Sequence, residues 1–344
     1  MPVSIRELCP EDRQAWDDFV FTHAQGSPFH LTAWKQSIQS TFGYVPKYVL
    51  AAEGNVIRGV LPLFLVDNLI MGRTLLSSPF AVYGGILADS KAVGVLLYEH
   101  VIQLGRALDV DYIELRNGHA EQCVGKSNVG RYVTFTQPAE IDESKLFASL
   151  PKKTRYMVRK SLRYPYESRI QTSDFHNFEE LYVRSLHRLG TPSFPSQHFA
   201  ELKRNFNNFI NVREITLDKK VVAASFNFYF RDQMHLYYAA SDPSYNDKAV
   251  NNFLYWDSIG WAGRHGFRTF DFGRSKRGTG VFEFKRHWAA TMRELPYEVI
   301  LLRREHIPNY SPVNPKFRFA IEVWKSLPLM VARLVGPQLI RLFP

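Results

Sequence analysis

The chain has 344 residues, of which 45% are hydrophobic, 14% aromatic and 22% charged. That composition excludes a disordered, collagenous or low-complexity chain, and at ~150 residues per domain the length suggests two domains. Lys and Arg number 43 against 33 Asp and Glu, a formal charge of +10, which points to an anionic partner (phosphate, nucleotide, RNA or a lipid surface) without choosing among them.

Residues 47–52 and 56–66 read as strands, Asp67-Asn68 as a turn and residues 73–77 as a third strand. Residues 91–108 read as a helix and residues 111–116 as a strand. A helical, basic connector follows, roughly residues 142–208, broken near Pro192 and Pro195. Residues 212–217 open a second set of strands. Val222, Ala224, Phe226, Phe228 and Phe230 share one face by period two, residues 231–233 turn, and Met234, Leu236, Tyr238 and Ala240 alternate on the way back. Residues 247–265 read as an aromatic-rich helix stopped by Gly266, and residues 267–272 as a strand. The tail after Ile307 is proline-punctuated and then amphipathic, with Phe317, Ile321, Trp324 and Leu327 near one face.

The order strand, strand, strand, helix, strand thus occurs twice. The closing strands, Tyr112-Ile-Glu114-Leu-Arg116 and Phe270-Asp271-Phe-Gly-Arg274, are alike. The chain divides on this reading into α/β units at 1–140 and 210–306, the connector at 141–209 and the tail at 307–344.

Two distant cysteines, Cys9 and Cys123, exclude a disulfide framework, and eleven scattered histidines form no zinc pattern, so no metal is expected. Gly125-Lys126-Ser127 lacks the earlier glycine of a phosphate-binding loop, since position 120 is Ala. Gly278-Thr-Gly280 lacks the third glycine of a dinucleotide fingerprint, since position 283 is Glu. The first residues carry no signal-peptide pattern, and the stretch around Arg58 is too short to span a bilayer. A soluble cytoplasmic protein is expected.

Four stretches carry chemistry. Lys152, Arg155, Arg159 and Arg163 are spaced to share a helical ridge, with Tyr156, Tyr164 and Tyr166 interleaved. Either the ridge is a solvated face, or Arg155 and Arg159 meet phosphate or RNA. The loop from Asp271 through Arg274, Lys276, Gly278 and Gly280 leads into Phe284 and Lys285 and offers amides and charge to an oxyanion. His30, with Trp34 and Lys35, opens a helix with Thr32 as N-cap, and His30 is a base or a structural histidine. Tyr83-Gly84-Gly85 permits a close backbone approach to a ligand, or is a plain turn.

Phe29-His30…Trp34, Leu61-Pro-Leu-Phe64, Pro79-Phe80…Tyr83-Gly84-Gly85, Glu114-Leu-Arg116, Lys152-Lys-Thr-Arg155 and Asp271-Phe-Gly-Arg274 through Phe284-Lys285 resemble, in the same order, the FemAB-related proteins. The nearest resemblance is to the subgroup associated with exosortase (PEP-CTERM) and exopolysaccharide systems. It implies two tandem GNAT-like acyltransferase domains with a cleft between them. It implies transfer of an acyl or aminoacyl group to an amine of an envelope or polysaccharide precursor. The Phe284-Lys285 pair matches the family's, in which the lysine supports the tetrahedral intermediate. The departures are the missing coiled-coil arm and the glycine-free run Tyr245-Asn-Asp-Lys248-Ala-Val, which puts coenzyme A binding in doubt.

The expectation is therefore an α/β acyltransferase with no tightly bound cofactor and with aminoacyl-tRNA or acyl-CoA as donor. Lys285 and the amides near Gly278 and Gly280 are the oxyanion candidates, and Asp271 or Glu114 the proton acceptors. His30, Trp34, Lys35, Tyr83, Arg116, Arg155, Arg159, Arg274 and Lys276 are the candidates for binding an anionic or lipid-linked precursor, or tRNA. The basic tail is a candidate for contact with the inner membrane surface. An acyl-CoA-dependent acetyltransferase and a non-catalytic RNA- or membrane-binding adaptor are the alternatives.

Overall fold

The computed structural model describes residues 2–126, 130–288, 290–307 and 315–344. The first half runs β1 (Ser4–Glu7), α1 (Arg13–Thr22), α2 (Thr32–Phe42), β2 (Val45–Pro46), β3 (Val49–Glu53), β4 (Val56–Leu61), β5 (Leu63–Asn68), β6 (Gly72–Ser77), β7 (Leu87–Ala88), α3 (Lys91–Ala107) and β8 (Tyr112–Leu115). The middle holds β9 (Tyr132–Pro138), α4 (Glu143–Ser149), α5 (Lys152–Ser161), β10 (Glu167–Gln171), α6 (His176–Leu189) and α7 (Ser196–Phe206). The second half runs β11 (Ile210–Leu217), β12 (Lys220–Phe230), β13 (Gln233–Ser241), α8 (Val250–Arg264), β14 (Thr269–Lys276), α9 (Gly280–Arg286), β15 (Thr291–Glu294) and β16 (Glu298–Leu301), followed by α10 (Pro315–Ser326) and α11 (Leu329–Ile340).

Pro62 divides what reads as one strand. It has no amide hydrogen to continue a ladder, so β4 and β5 enter different sheets. One sheet has the order β1-β3-β4-β7 and another β16-β8-β6-β5-β2. The second half forms a seven-stranded sheet, β10-β11-β12-β13-β14-β9-β15. Each half carries a parallel pair joined across a helix: β6 with β8 around α3, and β13 with β14 around α8. This is the repeat legible in the sequence.

The expected divisions do not separate the sheets. β9, from before residue 140, pairs with β14 and β15 of the second half. β16 returns to pair with β8 of the first half. The connector holds a strand, β10, as well as helices. A strand joins the edge whose backbone donors need partners, wherever it lies in sequence.

The two halves share one core. Phe29, Trp34 and Phe64 of the first half pack in the same buried cluster as Phe178, Phe226 and Phe228. The period-two face of β12 therefore points at the first half. Its opposite partners, with Met234, Leu236, Phe270 and Phe272, pack under α8 in a separate cluster with Tyr255 and Trp288. Each large side chain so buried contributes ~1.5–3 kcal/mol.

The tail lies on the protein itself. Trp324 and Ile340 are buried and α10 and α11 pack along α6. The side chains of Lys316 and Phe317, and residues 308–314 of the proline-punctuated stretch, lie outside the described residues, as does Ser127. None of the described helices is long and apolar enough to cross a membrane.

Candidate active site

β13 and β14 run parallel over only three pairs, Gln233 with Thr269, Met234 with Phe270 and His235 with Asp271. Beyond them the strands part, and Gly273 adopts φ +73°, a left-handed conformation that favours glycine. A Cβ there would lie 3.6 Å from the Leu236 carbonyl oxygen and 3.9 Å from Lys285 Nζ. The parted strands thus leave a wedge with Lys285 at its mouth.

α9 delivers that lysine. Thr279 Oγ1 accepts a hydrogen bond from the Phe282 amide at 3.2 Å and starts the helix. Phe282 and Trp288 are buried. Lys285 is 5% exposed, and its Nζ donates to the carbonyls of Gly273 (3.1 Å) and Arg274 (3.2 Å). An ammonium has three donors, so one remains. Burial pushes its pKa down to about 8, against the pull of Asp271 and with the push of Arg274. Phe284 does not face the wedge residues. Its ring meets Tyr255 edge-on at 5.1 Å and acts as packing.

Asp271 sits two residues before Gly273, where the first half touches the sheet. Its Oδ2 accepts from Tyr83 Oη at 2.6 Å, and its Oδ1 accepts from the Gly273 amide at 2.6 Å and from Thr134 Oγ1 at 3.3 Å. His235 Nδ1 lies 3.3 Å from Oδ2. Burial pushes the carboxyl up, but His235, Tyr83 and the Gly273 amide together hold it below the ordinary carboxylate value. A saturated carboxylate of lowered pKa is a poor proton acceptor. Asp271 is a positioning residue, which corrects the expectation of a base. Tyr83 stays protonated, since burial and the Asp271 charge both raise it.

Two cavities flank this cluster. One, of about 290 Å³, is lined by Phe80, Tyr237, Gly273, Arg274, Lys285 and Phe343 among others. The other, of about 230 Å³, is lined by Ser27, Tyr83, His119, Gln233, His235 and Arg293 among others. A roof runs between them. Ser78 and Phe80 hold positive φ angles of 45° and 64°, and Tyr237 Oη donates to the Phe80 carbonyl at 2.6 Å. Non-glycine residues in that region carry strain that only surrounding contacts maintain.

Several candidates prove structural. His30 is fully buried, with Ser27 Oγ at 2.7 Å and the Gly85 carbonyl at 3.1 Å, and burial lowers it to about 3. Thr32 follows Leu31, which holds the N-cap position, and its hydroxyl donates to Asp17 at 2.6 Å. Trp34 is buried, with Nε1 donating to the Pro79 carbonyl at 3.3 Å. Lys35 lies beside Arg13 on α2 and lines neither cavity. The close approach at Gly85 is to Asn117, whose Oδ1 would sit 1.9 Å from a Cβ, and not to a ligand.

Arg116 is 4% exposed. It donates to Glu114 (2.9 Å), to the carbonyls of Ser78 (3.2 Å) and Ala81 (3.3 Å), and to Pro344 O (2.9 Å). It staples the roof and tail and leaves no fork for a substrate. Glu114 is correspondingly paired and, although burial raises it, Arg116 holds its pKa below the ordinary value.

Arg274 remains at the wedge, with Tyr132 4.7 Å from its guanidinium. Lys276 ends β14, and Gly278 and Gly280 flank the Thr279 cap. α9 is a seven-residue helix whose Thr279 cap takes the Phe282 amide, and neither Gly278 nor Gly280 lines either cavity. Arg155 and Arg159 lie on α5, directed to the Ala148 carbonyl (3.4 Å) and the Phe147 ring (4.8 Å). Arg163 falls past the helix end.

His235, Thr134 and Arg293 were missed in the sequence. The hairpin alternation does place His235 opposite Met234 and Leu236, but nothing in a strand pattern says which face meets a cavity. Among the described residues no group of three His, Cys, Asp or Glu could hold a metal.

Residues 152–286 match the family model of the acetyltransferase (GNAT) domain. The chain is similar in fold to the crystal structure of FemX at 14% identity, covering 92% of this chain and 100% of that one with a TM-score of 0.66. It is similar to a tandem GNAT protein from the clavulanic acid biosynthesis pathway at 10% identity, covering 87% and 98% with a TM-score of 0.54. It is also similar to L-PGS from Bacillus licheniformis at 11% identity, covering 96% and 98% with a TM-score of 0.54. Comparison with curated proteins gives no match. The fold is the tandem GNAT fold, and the matched acetyltransferase domain makes the chain an acyltransferase.

Proposed function

We propose that the chain moves an acyl or aminoacyl group from an activated carrier to a primary amine of a cell-envelope or exopolysaccharide precursor. The reaction is of the FemAB type, as in proteins that accompany exosortase (PEP-CTERM) systems. The carrying observation is the Lys285 ammonium in the wedge, with two of its three donors on the Gly273 and Arg274 carbonyls. At pH 7 a group of pKa about 8 is protonated about ten to one. Its third N–H then meets the oxygen of a carbonyl seated there. As the amine attacks, charge grows on that oxygen, and a fixed buried donor stabilises it with little reorganisation. The lysine rises from α9 on one side of the sheet. It lines the cavity of about 290 Å³, whereas His235 and Asp271 line the one of about 230 Å³. Donor and acceptor thus have separate approaches.

The donor is aminoacyl-tRNA or acyl-CoA. The exposed cations of α5 support a polyanionic donor. The loop before α8 is a short helical turn, with Lys220 on Asp242 at 2.9 Å and Lys248 over the rings of Tyr164 and Tyr245. Its lack of glycine favours aminoacyl-tRNA over a nucleotide pyrophosphate cradled by amides. Parallel assays with aminoacyl-tRNA and acetyl-CoA, each with an amine acceptor, decide it. Lys285→Ala is expected to lower turnover 10²–10³-fold with donor affinity nearly unchanged, as for loss of one oxyanion donor. A folded Lys285→Met enzyme of near-normal turnover removes the reading. Absence of transfer from both donors leaves the non-catalytic adaptor.

A further inference from the structure

His235 is 3% exposed and its Nε2 has no hydrogen-bond partner among the described residues. A buried polar atom left unpaired is costly and calls for a reason. Its other nitrogen, Nδ1, lies 3.3 Å from Asp271 Oδ2. An ionised carboxylate only accepts, so Nδ1 carries a proton toward Asp271. His235 also lines the cavity of about 230 Å³ between the halves. The cavity holds the volume of about eight waters, enough for an aminoalkyl group.

Protein groups link the lining of this cavity to the wedge. Lys285 Nζ donates to the Gly273 carbonyl, the Gly273 amide donates to Asp271 Oδ1, and Asp271 Oδ2 faces His235 Nδ1. Hydrogen bonds on either side of the Gly273 Cα thus link the ammonium and the imidazole. The groups facing His235 are Asp271 on β14, Tyr83 from the roof loop, and His119 and Arg293 across the cavity. Burial and the Arg293 charge lower His119 to about 4, so it adds no charge near neutrality.

We propose that this cavity is the acceptor site, that it takes a primary amine, and that His235 Nε2 receives the proton the amine sheds. The assignment rests on the acyl-transfer reading above. The nitrogen lone pair attacks the donor carbonyl and forms the C–N bond. The carbonyl electron pair moves to oxygen beside Lys285. The proton on nitrogen passes to Nε2. Collapse expels the carrier's oxygen or sulfur, which takes the proton back from the imidazolium. Asp271 fixes the tautomer and steadies the imidazolium.

Two measurements test it. Nitrogen NMR of the imidazoles in the full chain is expected to show His235 as the Nδ1–H tautomer, with Nε2 shifting as ethylamine is added. The shift should persist in Lys285→Ala. An Nε2–H tautomer, or an Nε2 indifferent to ethylamine, overturns the site whether or not transfer occurs. In transfer assays His235→Gln is expected to lower kcat 10²–10⁴-fold with donor KM unchanged and to be rescued in part by imidazole. Turnover within threefold of wild type overturns the base. If wild type itself transfers nothing, the acyl-transfer reading fails, and the NMR arm still decides the amine site.

Discussion

The Lys285 ammonium donates to the Gly273 carbonyl at 3.1 Å, and the amide of that same Gly273 donates to Asp271 at 2.6 Å. One peptide unit on either side of a left-handed glycine thus binds a buried cation and a buried anion. Neither charge touches the other directly, and each is met by a backbone dipole of the matching sign. The wedge is polarised before any substrate enters.

A buried lysine of lowered pKa costs stability. Its folded pKa is about 8 against an ordinary 10.5. Between those values the unfolded chain binds more protons, so this group's penalty is full below pH 8 and relaxes as pH rises toward 10.5. Lys285→Met is therefore expected to melt above wild type at pH 7, with the gap narrowing in alkali. Thermal melts from pH 7 to 10 check this, and a constant gap contradicts it. Turnover should move the other way, falling above pH 8 as the ammonium is lost.

Tyr83→Phe removes a 2.6 Å donor to Asp271 and leaves a buried carboxylate short of one bond. We expect a loss of ~1–3 kcal/mol in urea unfolding and a higher Asp271 pKa. Both halves should weaken together, since Tyr83 joins them. A variant as stable as wild type, with an unchanged carboxyl resonance, would show the bond to be incidental.

The cations of α5 give a prediction about salt. Charge reversal at Arg155 and Arg159 should raise KM for a polyanionic donor and flatten its dependence on salt, as fewer counterions are released. Thr154, whose hydroxyl bonds the His287 carbonyl, anchors the helix independently, so the fold should hold. Equal KM and equal slope in the double variant would leave α5 a solvated face.

The tail offers a second surface. With Trp324, Ala332 and Ile340 turned inward, Phe319 (79% exposed), Met330 (75%) and Leu334 (75%) are left outward. Such an apolar stripe is unusual on a soluble monomer. Arg318, adjacent to Phe319 in the chain, is exposed as well, and an anionic lipid surface meets both features. The chain should co-sediment with phosphatidylglycerol vesicles and less with neutral ones. The triple change Phe319→Ser, Met330→Ser and Leu334→Ser should abolish it, and binding that survives the triple change would reject the lipid surface.

The repeated order of strands and helices was readable from periodicity alone, because a strand or helix declares its buried face at period two or 3.6. The placement of Lys285 within α9 was readable too: a glycine loop, a helix start and aromatic neighbours lie together in sequence. The roles of His30, Trp34 and Arg116 were not. A histidine or arginine in a sequence looks the same whether it meets a substrate or a backbone carbonyl, and only packing decides which. The exchanges of β9 and β16 between halves were equally hidden, since an edge strand is chosen by the unpaired donors it finds. Tertiary structure alone brought His235 on β13, Asp271 on β14, Tyr83 from the first half and Lys285 on α9 into one group, linked by hydrogen bonds on either side of the Gly273 Cα. Each is an ordinary residue on its own element, and their chemistry exists only because two strands run parallel for three pairs and then part.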